Sequence, residues 1–287
     1  MSTLPVAEAL AYEAGLVERT GRREASHART RRAGIAIGRA VVLAAVLGAW
    51  GYASGRLVDA EFLSHPAAVL SAFTELVRSG RVFPHLWQTL VEVLGGYAIG
   101  VALGVGLTVL VAATPAAHLV LRPFLMAFYS IPKIALAPLI IMWFGLATAP
   151  KVILASAFVF FVVFMNMVAG VYAVNPQLAS ALRVMGATRP EILAKLTLPS
   201  TVPYLMTGLR LAVPEALIGA VVGEFIAASR GLGYLVTSAA AQFNTAATMA
   251  AILALLVIVV VMDFGLSIAE RRLLHWRPRP AITVARG

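Results

Sequence analysis

No cysteine occurs among the 287 residues, which excludes disulfides, a thiol nucleophile and any cysteine-ligated metal. Charge is nearly as scarce. Only 13% of the residues are Asp, Glu, Lys or Arg, about half the share of a soluble domain, too few to cover a water-facing surface. The five histidines, His27, His65, His85, His118 and His275, are scattered among tails and connectors. Neither His-Glu-x-x-His nor Gly-x-Ser-x-Gly is present, so the chain has no zinc-binding helix and no nucleophile elbow. The P-loop pattern Gly-x4-Gly-Lys-Ser/Thr is missing too, so energy from a nucleotide has to arrive through another chain. Gly231-Leu232-Gly233 is too short for a phosphate cradle and reads as a tight turn.

What the chain has is apolar sequence, 60% of its residues. A membrane span takes about 20 mostly apolar residues. Six runs qualify, at about 34–54, 88–112, 118–144, 151–173, 201–228 and 247–268. The expected fold class is an all-α integral membrane protein with six transmembrane helices. A tail at 1–33 precedes the membrane domain (34–268), and a second tail (269–287) follows it. Tyr52-Ala53-Ser54 offers a small-residue end for a cleaved signal peptide, but five further apolar runs favour a retained first span.

The net charge of +10 does not point to nucleic acid, because the arginines gather at the termini and in connectors between apolar runs. With the Arg-rich tail inside, the connectors at 113–117 and 174–200 are inside as well, and those at 55–87, 145–150 and 229–246 are outside. The inner side then holds the six tail arginines with Arg122, Arg183, Arg189, Lys195, Arg271, Arg272, Arg277, Arg279 and Arg286. The outer side holds only Arg56, Arg78, Arg81, Lys151 and Arg230. This bias obeys the positive-inside rule and predicts two cytoplasmic termini in a multi-pass protein of the cell membrane.

Within the runs, Gly96, Gly100 and Gly104 form a small-residue stripe suited to close helix approach. Glu92, just ahead of it, is expected at the hydrated outer interface. Pro132 and Pro138 interrupt the third run, as pathway-lining helices often are. Lys133, Asn166, Glu215 and Glu224 are the polar candidates for such a pathway. Counted at about 1.5 Å per residue from His118 and Thr201, Lys133 and Glu215 reach similar depths of roughly 22 and 21 Å, which suggests that the two neutralise each other. Glu224, nine residues further on, is expected near the outer surface.

The stretch with the most pattern is polar. In residues 175–199, Asn175-Pro176 starts a helix carrying Leu178, Leu182 and Met185 at helical spacing. Gly186 stops it. Thr188 and Glu191 then form a capping-box pattern ahead of Ile192, Leu193 and Leu196, and Pro199 closes the segment. The reading is helix, glycine turn, helix, with Leu182, Met185, Ile192 and Leu196 as an apolar face that docks on something outside the membrane.

The spacing from Gly186 through Leu196 to Leu198-Pro199 resembles the cytoplasmic coupling ("EAA") loop of the membrane subunits of binding-protein-dependent ABC importers. SIPKIALAPLIIMWFGL (130–146), GLGYL (231–235) and AERRLLHW (269–276) resemble the branch that handles nitrate, sulfonates, taurine and similar compounds. The family's Glu-Ala-Ala falls on Ser180, Ala181 and Leu182, so its acidic residue is missing. The resemblance implies a type I ABC importer permease fold and a chain that is not an enzyme and carries no cofactor of its own. It also implies two copies of an ATPase subunit that hold ATP and magnesium and dock on the loop. A periplasmic or lipid-anchored solute-binding protein and a second permease copy would complete the assembly. The alternative is a self-sufficient ion-coupled carrier relaying charge through Lys133, Glu215, Glu224 and Asp263. Such carriers seldom need a helix-glycine-helix docking element, which favours the permease reading.

Overall fold

The computed structural model describes residues 34–114 and 130–273, with isolated helical residues from 120 to 128; the tail at 1–33 and residues beyond 273 lie outside the described residues. The chain divides into two units after Ala67. In the first, helix α1 (Gly34–Ala53) is long and apolar enough to span a membrane. It ends in a tight turn in which the Ser54 hydroxyl donates to the Leu63 carbonyl and the Gly55 amide to that of Val58 (2.7 Å).

The second unit begins within α2 (Pro66–Arg78), an amphipathic helix ahead of the second span. It continues with α3 (Val82–Ala113), a 3-10 turn (Lys133–Leu136), α4 (Ala137–Phe144) and α5 (Ala149–Tyr172). In the polar loop lie α6 (Pro176–Val184) and α7 (Arg189–Ile192). A π-helical turn (Leu193–Thr197) leads into α8 (Leu198–Ala227), followed by α9 (Leu232–Ala241) and α10 (Thr245–Leu273). Five helices among the described residues are long and apolar enough to cross a membrane. The third of the six expected runs is not a continuous helix where it is described. Pro132 takes an extended conformation, a 3-10 turn follows, and α4 restarts with Pro138 in its first turn. The continuous helical stretch described in that run is the short apolar Lys133–Phe144. The second span starts at Val82, six residues earlier than expected.

Lipid is as apolar as leucine, so helices in a bilayer gain little from apolar burial and associate through close packing instead. Here α5 is the central helix, clasped between α3 and α8. The glycine stripe makes this possible: a Cβ on Gly96 would collide with the Ala155 side chain, and one on Gly100 would lie 2.6 Å from the Ser156 carbonyl oxygen. From the other side, a Cβ on Gly219 of α8 would come within 2.6 Å of the Ala155 Cα. Ala155 is therefore pinched between two glycines and fully buried, in a core cluster that also holds Val93, Val159, Val163 and Ala216. A second apolar cluster joins Val82 of α3, Val221 of α8, Leu232 and Val236 of α9, and Ala251, Ala254 and Ile258 of α10. Helix α8 runs through Pro203 and Pro214 without a break in its assignment.

Candidate functional site

Two polar constructions stand out, one at each end of α8. The first is the loop 175–199. Asn175 caps α6 by accepting the Gln177 amide (2.8 Å), and Pro176 fills the first turn where no donor is lost. At the far end Gly186 has φ +87°, with its own amide on the Arg183 carbonyl (3.0 Å) and the Ala187 amide on that of Leu182 (2.9 Å). This is a glycine-closed C-terminus, as the sequence predicts. Glu191 then reaches back: its Oε2 accepts the Thr188 amide (2.9 Å) and hydroxyl (2.8 Å), and its Oε1 lies 3.3 Å from the Lys195 ammonium. The Thr188 amide, the Thr188 hydroxyl and then Lys195 hold the Glu191 carboxyl down at about 2.

The apolar face of the loop differs from the expected one. Ile192 is turned inward and buried, since its short helix leads directly into the π turn under the loop. Leu182 and Leu196 are half-buried. Of the expected face Met185 is outward, 81% exposed, and with Val184, 89% exposed, and exposed Leu178 it makes the outward apolar surface, beside exposed Ser180, Ala181 and Gly186. Leu198 is half-buried and Pro199 exposed where the loop enters α8.

The second construction is a buried polar cluster at the other end of α8. Gln88, Thr89 and Glu92 project from one side of α3. Glu92 is fully buried, and its Oε1 lies 3.2 Å from the equally buried Lys151 ammonium at the start of α5. Gln88 Nε2 donates to the same carboxylate oxygen (2.7 Å) and to the Thr148 hydroxyl (2.9 Å). One helical turn away, Glu224 of α8 accepts the Thr89 hydroxyl (2.6 Å) and the Gly233 amide (2.5 Å), and Thr89 accepts the Leu232 amide (2.8 Å). The Gly231 amide donates to His85 Nδ1 (3.1 Å), and the His85 ring stacks on Tyr234. A Cβ at Gly231, whose φ is +125°, would collide with the Glu224 carboxylate. The 231–233 turn is thus bare so that Glu224 can tie the first turn of α9 to α3.

Several expectations are corrected here. Glu92 is not at a hydrated interface, and Lys151 is not an outer-loop charge, because α5 starts at Ala149 and carries Lys151 into the bundle against Glu92 of α3. Glu224 is also buried, 1% exposed, in the last turn of α8 before it ends at Ala227. The expected pair Lys133–Glu215 is not among the ion pairs of the described residues. The Lys133 ammonium lies 5.5 and 5.2 Å from the ring centroids of Phe158 and Phe161, and Glu215 is half-buried on α8. Pro132 takes an extended conformation ahead of a 3-10 turn, so Lys133 does not sit on the continuous helix that the depth count assumed. Asn166 donates to the Val162 carbonyl (2.8 Å) and packs against Gly208. Sequence reading also passed over Arg210, which pairs with Glu270 (2.6 Å) and Ser267 (2.8 Å) between α8 and α10. The usable signal for the buried cluster was the run Gln88, Thr89, Glu92, whose i and i+4 members share a face of an otherwise apolar helix.

A bundle of apolar helices with a rigid, exposed helical corner at one end is the build of a membrane transport subunit, and comparison with known proteins gives the class. The chain belongs to the family of binding-protein-dependent transport system inner membrane components, which matches residues 96–275. It is 30% identical over 235 residues to the putative aliphatic sulfonates transport permease protein SsuC of Bacillus subtilis, covering 82% of this chain and 85% of that one. It is 34% identical over 227 residues to the formylaminopyrimidine transport permease protein ThiX of Halalkalibacterium halodurans (79% and 90% covered). To the taurine transport system permease protein TauC of Escherichia coli it is 29% identical over 252 residues (86% and 91% covered). Among solved structures, the fold resembles the inward-facing MetNI methionine ABC transporter, with a TM-score of 0.58 at 19% identity over 66% of this chain and 94% of that one. An amino acid ABC transporter solved with histidines gives 0.55 at 20% identity, over 70% and 98%. The chain is a multi-pass permease subunit of an ABC importer with the type I fold, in the sulfonate and taurine branch.

Proposed function

We propose that this chain forms the translocation route for a small sulfonate- or taurine-like solute, or a related organic compound, across the cell membrane. It does so as a homodimer driven by two ATPase subunits. The carrying observation is the loop: its corner is locked by Gly186 and the Thr188–Glu191 box, and it presents Val184 and Met185 outward where none of the described residues covers them. Two apolar side chains on a rigid corner fit a groove on a partner, and movement of that partner passes through α8, which the loop enters directly. Both termini are cytoplasmic in this reading, with ATP and magnesium held by the ATPase and a solute-binding protein delivering solute at the opposite face. The ion-coupled carrier has less support, since Glu224 spends its carboxylate on Thr89 and the α9 backbone. Lys133, Glu215 and Asn166 line or flank the route as polar groups.

The test is reconstitution of the permease with its ATPase and binding protein in proteoliposomes, with ATP-driven uptake of labelled taurine and an alkanesulfonate measured. Uptake that depends on all three components, and falls at least tenfold in Met185→Glu with the permease still inserted, supports the reading. Uptake that needs no ATPase overturns it.

A further inference from the structure

The loop 175–199 holds one acidic residue, Glu191, against Arg183, Arg189 and Lys195. Glu191 is committed to Thr188 and, at 3.3 Å, to Lys195, which leaves the charges of Arg183 and Arg189 uncompensated within the loop. Neither guanidinium forms an ion pair among the described residues. Charges that served only to mark the cytoplasmic side would have no reason to converge. These two do: Arg183 from α6 and Arg189 at the start of α7, on opposite sides of the Gly186 corner, line one cavity of about 490 Å³. Its other walls include Ala113 at the end of α3, Val171 near the end of α5, Val174 just beyond it, and Thr197 from the π turn ahead of α8. Among the described residues no Asp or Glu lines it.

Resting on the functional reading above for its placement on the cytoplasmic side, we propose that this cavity binds the anionic headgroup of an inner-leaflet phospholipid, with Arg183 and Arg189 on its phosphate. The level is right: α3 ends at Ala113 and α5 at Tyr172, and where an apolar span ends the lipid headgroups begin. The charge is right as well. A guanidinium offers paired donors to phosphate oxygens, and basic pockets between helices on the cytoplasmic side recognise anionic headgroups. The rest of the lining selects lipid over a dissolved oxyanion. A free phosphate or a small sulfonate gains little from Ala113, Val171 and Val174, whereas a lipid lays its glycerol and first methylenes against them. A headgroup held there braces the loop against the ends of α3 and α5 and leaves Val184 and Met185 outward.

The test is native mass spectrometry of the intact permease–ATPase complex released from nanodiscs made of equal parts phosphatidylglycerol and phosphatidylcholine, with the retained lipids counted by class. The unaltered complex is expected to retain phosphatidylglycerol over phosphatidylcholine by roughly tenfold or more, and Arg183→Gln with Arg189→Gln to lose most of that preference. Ala113→Phe, which narrows the cavity without altering a charge, should weaken retention too, and Lys195→Gln, outside the cavity, should leave it unchanged. Equal preference in the unaltered and double-Gln complexes overturns the proposal. So does a loss with Lys195→Gln as large as with the double variant, which would mean general surface charge. Displacement of the retained lipid by millimolar inorganic phosphate or methanesulfonate overturns it in favour of a free oxyanion. Retention is counted without transport, so an unselective lipid count in a complex that still shows ATP-driven uptake overturns this proposal alone. Uptake that needs no ATPase removes the cytoplasmic placement on which it rests, and both readings fall together.

Discussion

The Lys151 ammonium and the Glu92 carboxylate meet at 3.2 Å with side chains only 5% and 0% exposed, joining the first turn of α5 to α3 inside the bundle. An isolated charge in that position is far costlier than the pair, so removing one partner should hurt more than removing both. Lys151→Met and Glu92→Met are each expected to destabilise the permease by about 3–5 kcal/mol, and the double substitution to recover most of that loss. Thermal unfolding in detergent of the three variants measures it. A double variant as unstable as the sum of the singles would mean that the two residues act independently.

The glycine stripe makes a contrast within one helix. A Cβ at Gly100 meets the Ser156 carbonyl oxygen at 2.6 Å and Val159 at 2.6 Å, and backbone on a packed helix cannot step aside. Gly106, six residues on, has nothing within 4 Å. Gly100→Ala is expected to lower stability by about 1–3 kcal/mol through overpacking. Gly106→Ala should be neutral, or stabilising by up to about 1 kcal/mol through helix propensity. Equal melting shifts for the two variants would refute the close α3–α5 approach.

Where local chemistry decides structure, the sequence was readable. Asn175-Pro176, Gly186 and the Thr188–Glu191 box lie where their spacing puts them, because capping and positive φ depend on a few adjacent residues. The small-residue stripe was readable for the same reason. What escaped was side-chain placement set by tertiary packing. Glu92 and Lys151 are 59 residues apart, and only the α3–α5 contact makes them a pair. Lys133 and Glu215 matched in depth along ideal helices, but the extended Pro132 just before Lys133 breaks the helix that the match assumed. Ile192 carried the right period for the docking face, yet the π turn that buries it has no signature in residue type.

Gly186 tests the loop itself. Its hypothetical Cβ meets nothing within 4 Å, so a substitution there strains φ at +87° without any clash. Gly186→Ala should cost about 1 kcal/mol locally, and β-branched Gly186→Val more. The expected outcome is a permease that inserts normally but loses uptake and solute-stimulated ATP hydrolysis, more severely in the valine variant. Unimpaired uptake and stimulation in Gly186→Val would rule out a tight corner as the coupling feature.

The acid response of the capping box follows from the Glu191 carboxyl, which the folded loop lowers from 4.5 to about 2. A depressed carboxylate stabilises the loop fully at pH values above the ordinary 4.5, and that contribution is lost as pH falls from there through about 2. At neutral pH the box is therefore intact, and its weakening belongs to the acid window alone. The carboxyl carbon shift of Glu191, followed by NMR on a glutamate-labelled permease in detergent, should titrate well below its ordinary midpoint. Because the Thr188 amide and hydroxyl act ahead of Lys195, Thr188→Pro, which removes both, should move the midpoint up further than Lys195→Ala does. A midpoint near 4.5 in the unaltered chain would show that Glu191 does not close back on Thr188. The start of α7 would then be held by something other than this box.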